Sequence, residues 1–340
     1  MKANAIFSPV ILTFIVLGTG GLNPDRELKR YEFAEPHLGT QIRMIIYADR
    51  DPAELASTLF RSVESLNKIY SDYDDNSELM RFCRAEAGQP HAVSPLLFET
   101  LEHAQQVAHE SKGAFDITVG PLSQLWRRAR RQKQLPNEDA IKKALALVGY
   151  QKLTLDRKEQ TATLQIPGMR LDLGGIAKGH IGDQIMSVLR GRFPHSMMAL
   201  GGDLVLGQPP PGEAGWKVQI GPADPTTAER LTLSLSNCAV STSGDAEQFL
   251  EVAGKRYSHI IDPRTGWGRT ESPLVTVIAK AGWEADALTK PLSLLDVDAG
   301  QAIIAKHPGA AARWTLAQPG RTARIVVSPR WRELREAAVK

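Results

Sequence analysis

The apolar positions switch between two periods along the chain, and the switches outline its elements. Residues 41–47 alternate as a strand, and Asp51-Pro52 then opens a helix in which Leu55, Leu59, Val63 and Leu66 recur at helical spacing. Ser94 with Pro95 caps a second helix, which carries Leu97, Leu101, Ala104 and Ala108 on one face and stops at Gly113. A third runs from near Asn137 to Gly149. The period then shortens, predicting strands at 153–155, 161–166 and 169–173 joined by polar turns, before a glycine-marked helix over 176–190. The second half is strand-rich, at 197–200, 204–207, 216–220, 231–235, 239–241 and 274–279, and helices return at 284–295 and 299–306. Strict β–α–β alternation is absent, so the order predicts an α+β fold with mixed sheets flanked by helices.

The first 24 residues depart from this pattern. Ala3 to Pro24 contains no charged side chain, and residues 6–17 are almost wholly apolar behind Lys2. The stretch reads as an export signal or a retained membrane anchor. Its length suits a secretory apolar region and is short for a span once Pro9, Gly18, Gly20 and Gly21 are counted. Gly18 and Gly20 form a weak cleavage site, so for 1–24 both outcomes stay open. The body, 25–340, is expected outside the cytoplasm, periplasmic or attached to the cell envelope, with anchoring to the inner membrane through the N-terminus as one form. A buried N-terminal strand is the plain alternative.

Composition narrows the class. At 340 residues, 42% of them hydrophobic, the chain can bury a sizeable core, and 2 cysteines are too few for a disulfide scaffold or a clustered zinc site. Cys83 and Cys238 are expected as unpaired, mostly buried thiols, and no cysteine is placed for a lipoprotein anchor. A net charge of +3 lacks the basic footprint of a nucleic-acid binder. The local run Arg127, Arg128, Arg130, Arg131 and Lys133 reads as a solvated helix face, with an acidic partner or anionic lipid as the alternative.

Candidate chemistry lies in five places. Asp172-Leu173-Gly174-Gly175-Ile176-Ala177-Lys178-Gly179 joins a strand to a helix, where backbone N–H groups and Lys178 can meet an anion; a simple turn explains the glycines equally well. Gly201-Gly202-Asp203 follows a strand and lets backbone approach a phosphate. Gly113 to Thr118 sets Ala114, Phe115 and Asp116 just past a helix end. His259, within Tyr257-Ser258-His259-Ile260-Ile261-Asp262-Pro263-Arg264-Thr265-Gly266, is a base suited to neutral pH. Asp286 and Thr289 offer hard oxygens of the kind Mg²⁺ takes.

In this order, these strings resemble the ApbE family of FAD:protein FMN transferases. The likeness runs from Leu38-Gly39-Thr40 to Val326-Val327-Ser328-Pro329 and includes Ser71 to Glu78, Ser241-Thr242-Ser243-Gly244 and Ala285 to Lys290. It implies two intertwined subdomains with the FAD cleft between them, and an exported, Mg²⁺-dependent enzyme. Such an enzyme passes FMN from FAD to a Thr or Ser of an acceptor protein and releases AMP, and the family's acceptors are flavin-carrying subunits of membrane redox complexes. Carried over by motif, Leu38, Tyr73, Ala114, Phe115, Asp116, Asp172, Lys178, Gly201, Gly202 and Asp203 would bind FAD. His259 would take the acceptor's proton, and Gly175, Asp286 and Thr289 would hold the metal. Two positions depart from the family: Leu38 stands where a Met is usual, and Lys290 stands where the metal motif has its Thr. Two alternatives stand beside transfer: hydrolysis of FAD to FMN and AMP in the same pocket, and a catalytically degenerate FAD-binding protein in which the Lys290 ammonium sits where the metal would and pairs a phosphate.

Overall fold

The computed structural model describes residues 27–221, 231–244, 249–252, 254–270, 273–318 and 321–339. The stretch 1–24, expected as signal or anchor, lies outside them. The helices are α1 (Ala53–Tyr70), α2 (Glu78–Cys83), α3 (Pro95–Glu110), α4 (Gly120–Gln132), α5 (Glu138–Leu145), α6 (Ala177–Arg192), α7 (Gly282–Leu294), α8 (Val297–Ile304) and α9 (Pro329–Val339). The strands are β1 (Lys29–His37), β2 (Thr40–Ala48), β3 (His91–Ala92), β4 (Leu153–Asp156), β5 (Thr161–Leu164), β6 (Ser196–Leu200), β7 (Asp203–Leu206) and β8 (Trp216–Ile220). They continue with β9 (Leu231–Leu235), β10 (Ala239–Ser243), β11 (Phe249–Val252), β12 (Lys255–Ser258), β13 (Leu274–Ala279), β14 (Ala311–Gln318) and β15 (Arg321–Val327).

An eight-stranded sheet in the order β1-β2-β6-β7-β10-β13-β14-β15 forms the frame. The class is α+β, and the strand pairs among the described residues are antiparallel where mixed sheets were expected. Tight hairpins join β1 to β2 and β6 to β7, and a hairpin reverses direction by construction. Alternation along each strand sends side chains to opposite faces. Ile42, Met44, Ile46, Met198, Leu200, Val205, Val275, Val277 and Trp314 fill the core under α1, α3, α6 and α7. Ile45, Leu206, Val240 and Ile278 meet β8, β9 and Trp331 of α9 on the other face. Among the described residues no helix is long and apolar enough to cross a membrane.

Two segments differ from the sequence reading. Residues 169–173, expected as a strand, join no ladder. Their alternation is real, since Met169, Leu171 and Leu173 are each 1% exposed, but it reflects burial without a neighbouring strand. Residues 29–37, to which the sequence pattern assigned no element, form edge strand β1, in which Arg30 and Glu32 are exposed while Tyr31 and Phe33 pack against the core. The two cysteines are unpaired, as expected, though half-buried; burial pushes each thiol up to about 11, which keeps it protonated.

One close approach positions the chemistry. A Cβ at Gly179 would lie 2.1 Å from the Gly282 carbonyl oxygen, so only glycine allows α6 and α7 to touch there. Across this contact the helices exchange carboxylate caps. Asp183 of α6 accepts from the Gly282 and Trp283 N–H groups at 2.7 and 2.9 Å, and Asp286 of α7 accepts from Gly179 N–H at 3.3 Å. Each carboxylate sits at the positive end of the partner helix.

Candidate active site

The loop after Asp172 turns into α6 at Ala177, with Leu173 O accepting from the Ile176 and Ala177 N–H groups at 3.0 and 2.8 Å. Lys178 therefore stands in the first turn of α6 and reaches Asp203 at the start of β7. The second Asp203 oxygen accepts from the Ser241 hydroxyl of β10. Asp286, fully buried, completes a cluster of two aspartates and two lysines with Lys290 one helical turn later. Burial opposes charge on Lys178, but Asp286 and Asp203 outweigh it and its pKa is raised. Burial likewise pushes Asp203 up, helped by the charge of Asp286. For Asp286 the same burial is overcome by Lys290 and Lys178, which hold its carboxyl below the usual range. At neutral pH Lys178 is thus an ammonium and Asp286 a carboxylate.

Of the expected metal-site residues, Asp286 and Thr289 meet at the Lys290 ammonium, and Gly175 lies beside the Lys290 stem. Its ammonium donates to Asp286 Oδ1 at 2.6 Å, Thr289 Oγ1 at 2.9 Å and the Asp286 carbonyl at 3.1 Å. Its stem runs past Gly175, where a Cβ would lie 3.2 Å from Lys290 Cγ and 3.3 Å from Phe115 Cε2. A hydroxyl has one proton and two lone pairs, and Thr289 uses all three. It donates to the Asp286 carbonyl at 2.7 Å and accepts from Lys290 and from Ser243 Oγ at 2.7 Å. The donors are the hard oxygens Mg²⁺ prefers, yet as arranged they do not fit that ion: each already bonds an ammonium, and one carboxylate faces it.

The remaining FAD-motif residues fall into two neighbouring groups. Leu38 adopts positive φ at the β1–β2 turn and packs half-buried against the core. That turn lies against Gly201, whose Cβ would meet Thr40 Oγ1 at 2.9 Å, and exposed Gly201 and Gly202 lead into Asp203. The other group centres on Arg127, which bridges Asp72 and Asp172, the latter at 3.0 Å. Its guanidinium carbon also lies 4.1 Å from the ring centre of Tyr73, which is 78% exposed. Burial, with the charge of Asp172, pushes Asp72 up to about 6 despite Arg127. Arg127 is thus part of the site rather than of a solvated face, while Arg128, Arg131 and Lys133 are exposed as expected. Asp116 turns inward, accepting from Thr118 N and Oγ1 at 2.8 and 2.6 Å, so its carboxylate shapes the loop that carries buried Ala114 and Phe115.

His259 is exposed, directly after β12 and between buried Ser258 and Ile260. Its stretch is fixed from below. Trp126 of α4 donates to the Gly266 carbonyl at 2.8 Å and packs with Tyr257 and Trp267, while Arg269 binds the Ser293 and Leu294 carbonyls at the end of α7. Asp262 pairs with Arg264 at 2.8 Å within its own turn.

The sequence pattern of the ApbE family matches residues 38–314, a span that holds every group described above. A FAD:protein FMN transferase of Treponema pallidum is 30% identical over 329 residues, covering 91% of this chain and 91% of that one. One from Klebsiella pneumoniae is 31% identical over 278 residues, covering 81% of this chain and 85% of its own. The crystal structure of Pseudomonas stutzeri flavinyl transferase ApbE, in its apo form, shares the fold with a TM-score of 0.80 and 26% identity over 91% of this chain and 98% of that one. The flavin transferase ApbE from Vibrio cholerae gives 0.81 and 25% over 90% and 99%. By sequence and by fold, this chain belongs to the ApbE family.

Proposed function

We propose that this chain is an enzyme that transfers FMN from FAD to a Thr or Ser hydroxyl of an acceptor protein and releases AMP. The observation that carries the reading is the junction of the 172–178 turn, the Gly201-Gly202-Asp203 turn and the first turns of α6 and α7. It assembles fixed cations and exposed backbone at one place, the equipment a pyrophosphate needs. The acceptor oxygen attacks the phosphorus that bears riboflavin, and the bond from that phosphorus to the bridging oxygen breaks. That oxygen leaves with AMP. His259 takes the hydroxyl proton, and its exposed position suits a substrate that arrives on another protein. Lys178 and the α6 N-terminus stabilise the charge that develops on the phosphoryl oxygens. No step here is routed through magnesium, since the donors of the metal motif bond Lys290.

The apolar N-terminal stretch supports a location outside the cytoplasm in this reading, with a flavin-carrying subunit of a membrane redox complex as the proposed acceptor. The test is incubation of the purified protein with FAD and a Thr-bearing acceptor domain, read by intact mass and by nucleotide chromatography. A mass gain of one FMN with equimolar AMP is the expected result. AMP with free FMN replaces the reading by hydrolysis, tight FAD binding without either product replaces it by a binding protein, and no FAD binding overturns it.

A further inference from the structure

The metal motif in this chain is complete without a metal. Asp286 Oδ1, the Asp286 carbonyl and Thr289 Oγ1 surround one point, and the Lys290 nitrogen lies there, 2.6 to 3.1 Å from each. An ammonium has three N–H donors, and three acceptors meet them. The charges agree with this occupant. Two aspartates, Asp203 and Asp286, face two lysines, Lys178 and Lys290, so the cluster balances without a further ion. A divalent cation in place of the ammonium would leave an excess positive charge in a site where Asp286 is fully buried. Local packing also holds the lysine in place, because its stem fills the space over Gly175 beside Phe115.

We propose that the Lys290 ammonium is a built-in cation that takes the place of a divalent ion, so that this enzyme binds the pyrophosphate of its dinucleotide without metal. The inference deepens the flavin-transfer reading and rests on it for the identity of that dinucleotide. Lys290 stays one-fifth exposed, so its nitrogen can face a ligand in the cleft. The longest of its three bonds, 3.1 Å, goes to a carbonyl that Thr289 also satisfies, at 2.7 Å. That is the bond a phosphate oxygen would replace at least cost. Lys290 then positions and neutralises one side of the pyrophosphate while Lys178 acts from the first turn of α6.

Two measurements on the full chain, stripped of metal by chelation, test this. In the first, Mn²⁺ is titrated without FAD and the free ion is followed by electron paramagnetic resonance. The unchanged chain is expected to leave Mn²⁺ free at micromolar concentrations, and Lys290→Thr to gain a site. Stoichiometric Mn²⁺ binding by the unchanged chain overturns the proposal. In the second, FAD affinity is measured by flavin fluorescence in EDTA and in Mg²⁺. The unchanged chain is expected to differ by less than about twofold between them, and Lys290→Ala to bind FAD about tenfold or more weakly in either, the size of one charge-assisted hydrogen bond. Strict dependence of the unchanged chain on Mg²⁺ overturns the proposal. If Lys290→Thr or Lys290→Ala fails to fold, the two results on the unchanged chain still decide. Absence of FAD binding in both buffers would instead remove the flavin reading, and with it the pyrophosphate, while the Mn²⁺ titration still judges the cation.

Discussion

The charged cluster around Asp286 and the stretch that carries His259 are built in opposite ways. In the cluster every charge meets an opposite partner, Asp203 and Asp286 are 3% and 0% exposed, and the residues stand on α6, α7, β7 and β10, elements fixed by the main core. The His259 stretch is a loop held by an aromatic group and by backbone carbonyls, and its key residue faces solvent. One region is rigid before any ligand arrives; the other is open above a fixed base. That division matches a reaction between a small dinucleotide, which must be gripped, and a hydroxyl on a macromolecule, which must have access.

The sharpest way to break this division is His259→Ala. If the stretch serves only the acceptor, transfer falls by about 10²- to 10⁴-fold, the usual span for a general base, while FAD affinity stays within about twofold. Parallel measurement of FMN-adduct formation and flavin fluorescence checks both. A matching loss of FAD affinity would show that His259 belongs to the gripping region as well.

A second pair of substitutions compares how the two regions tolerate one added methyl group. Gly179→Ala drives a Cβ to 2.1 Å from the Gly282 carbonyl and must part α6 from α7; we expect about 3 kcal/mol of lost stability. Gly254→Ala, at the β11–β12 turn, meets nothing within 4 Å and suffers only its positive φ of 72°, so about 1 kcal/mol is expected. Urea unfolding of both variants gives the difference, and equal losses would mean that the helix contact is not the tighter constraint.

How much of this was legible in the sequence divides along the same line. Helix limits set by capping were readable: Ser94 accepts from Leu97 N and Asn137 from Ala140 N, as the cap residues indicated. Periodicity misread residues 169–173, because a buried loop and a strand share a period of two. Asp172, Lys178 and Asp203 stood out through their glycine-marked strings and Asp286 through its pairing with Thr289 as a source of hard oxygens, and the structure links Lys178 to Asp203 and Lys290 to Asp286. Arg127 did not, since a run of five basic residues hides the one that turns inward toward Asp72 and Asp172. Its position beside Trp126, a buried aromatic on the same helix, was the available signal. The Lys290 ammonium lies where the departure at that position led one to expect it, but its sharing of Thr289 was out of reach, because helical rotation alone places Thr289 and Lys290 about 100° apart and says nothing of how a long side chain folds back.

The smallest effect concerns pH, and it separates the two regions again. The rigid region has a titrating brace: His307 lies between Glu284, in the first turn of α7, at 2.7 Å and Glu110, at the end of α3, at 2.6 Å. Burial works against its charge, but the two carboxylates outweigh that and raise its pKa above the ordinary 6.5. A raised histidine pKa makes the folded state bind the proton more tightly than the unfolded chain does. The brace therefore acts in full below the unfolded pKa of 6.5 and is lost as pH rises through the higher folded value. His307→Gln should cost about 1–2 kcal/mol at mildly acidic pH, less at alkaline pH, and should flatten the stability profile between them. Urea unfolding across that range checks it, alongside transfer assays under the same conditions. If the profile flattens while the pH dependence of transfer is unchanged, the brace supports the rigid region without touching the base. A coupled change would mean that α7 transmits its state through the Arg269 contacts to the His259 stretch.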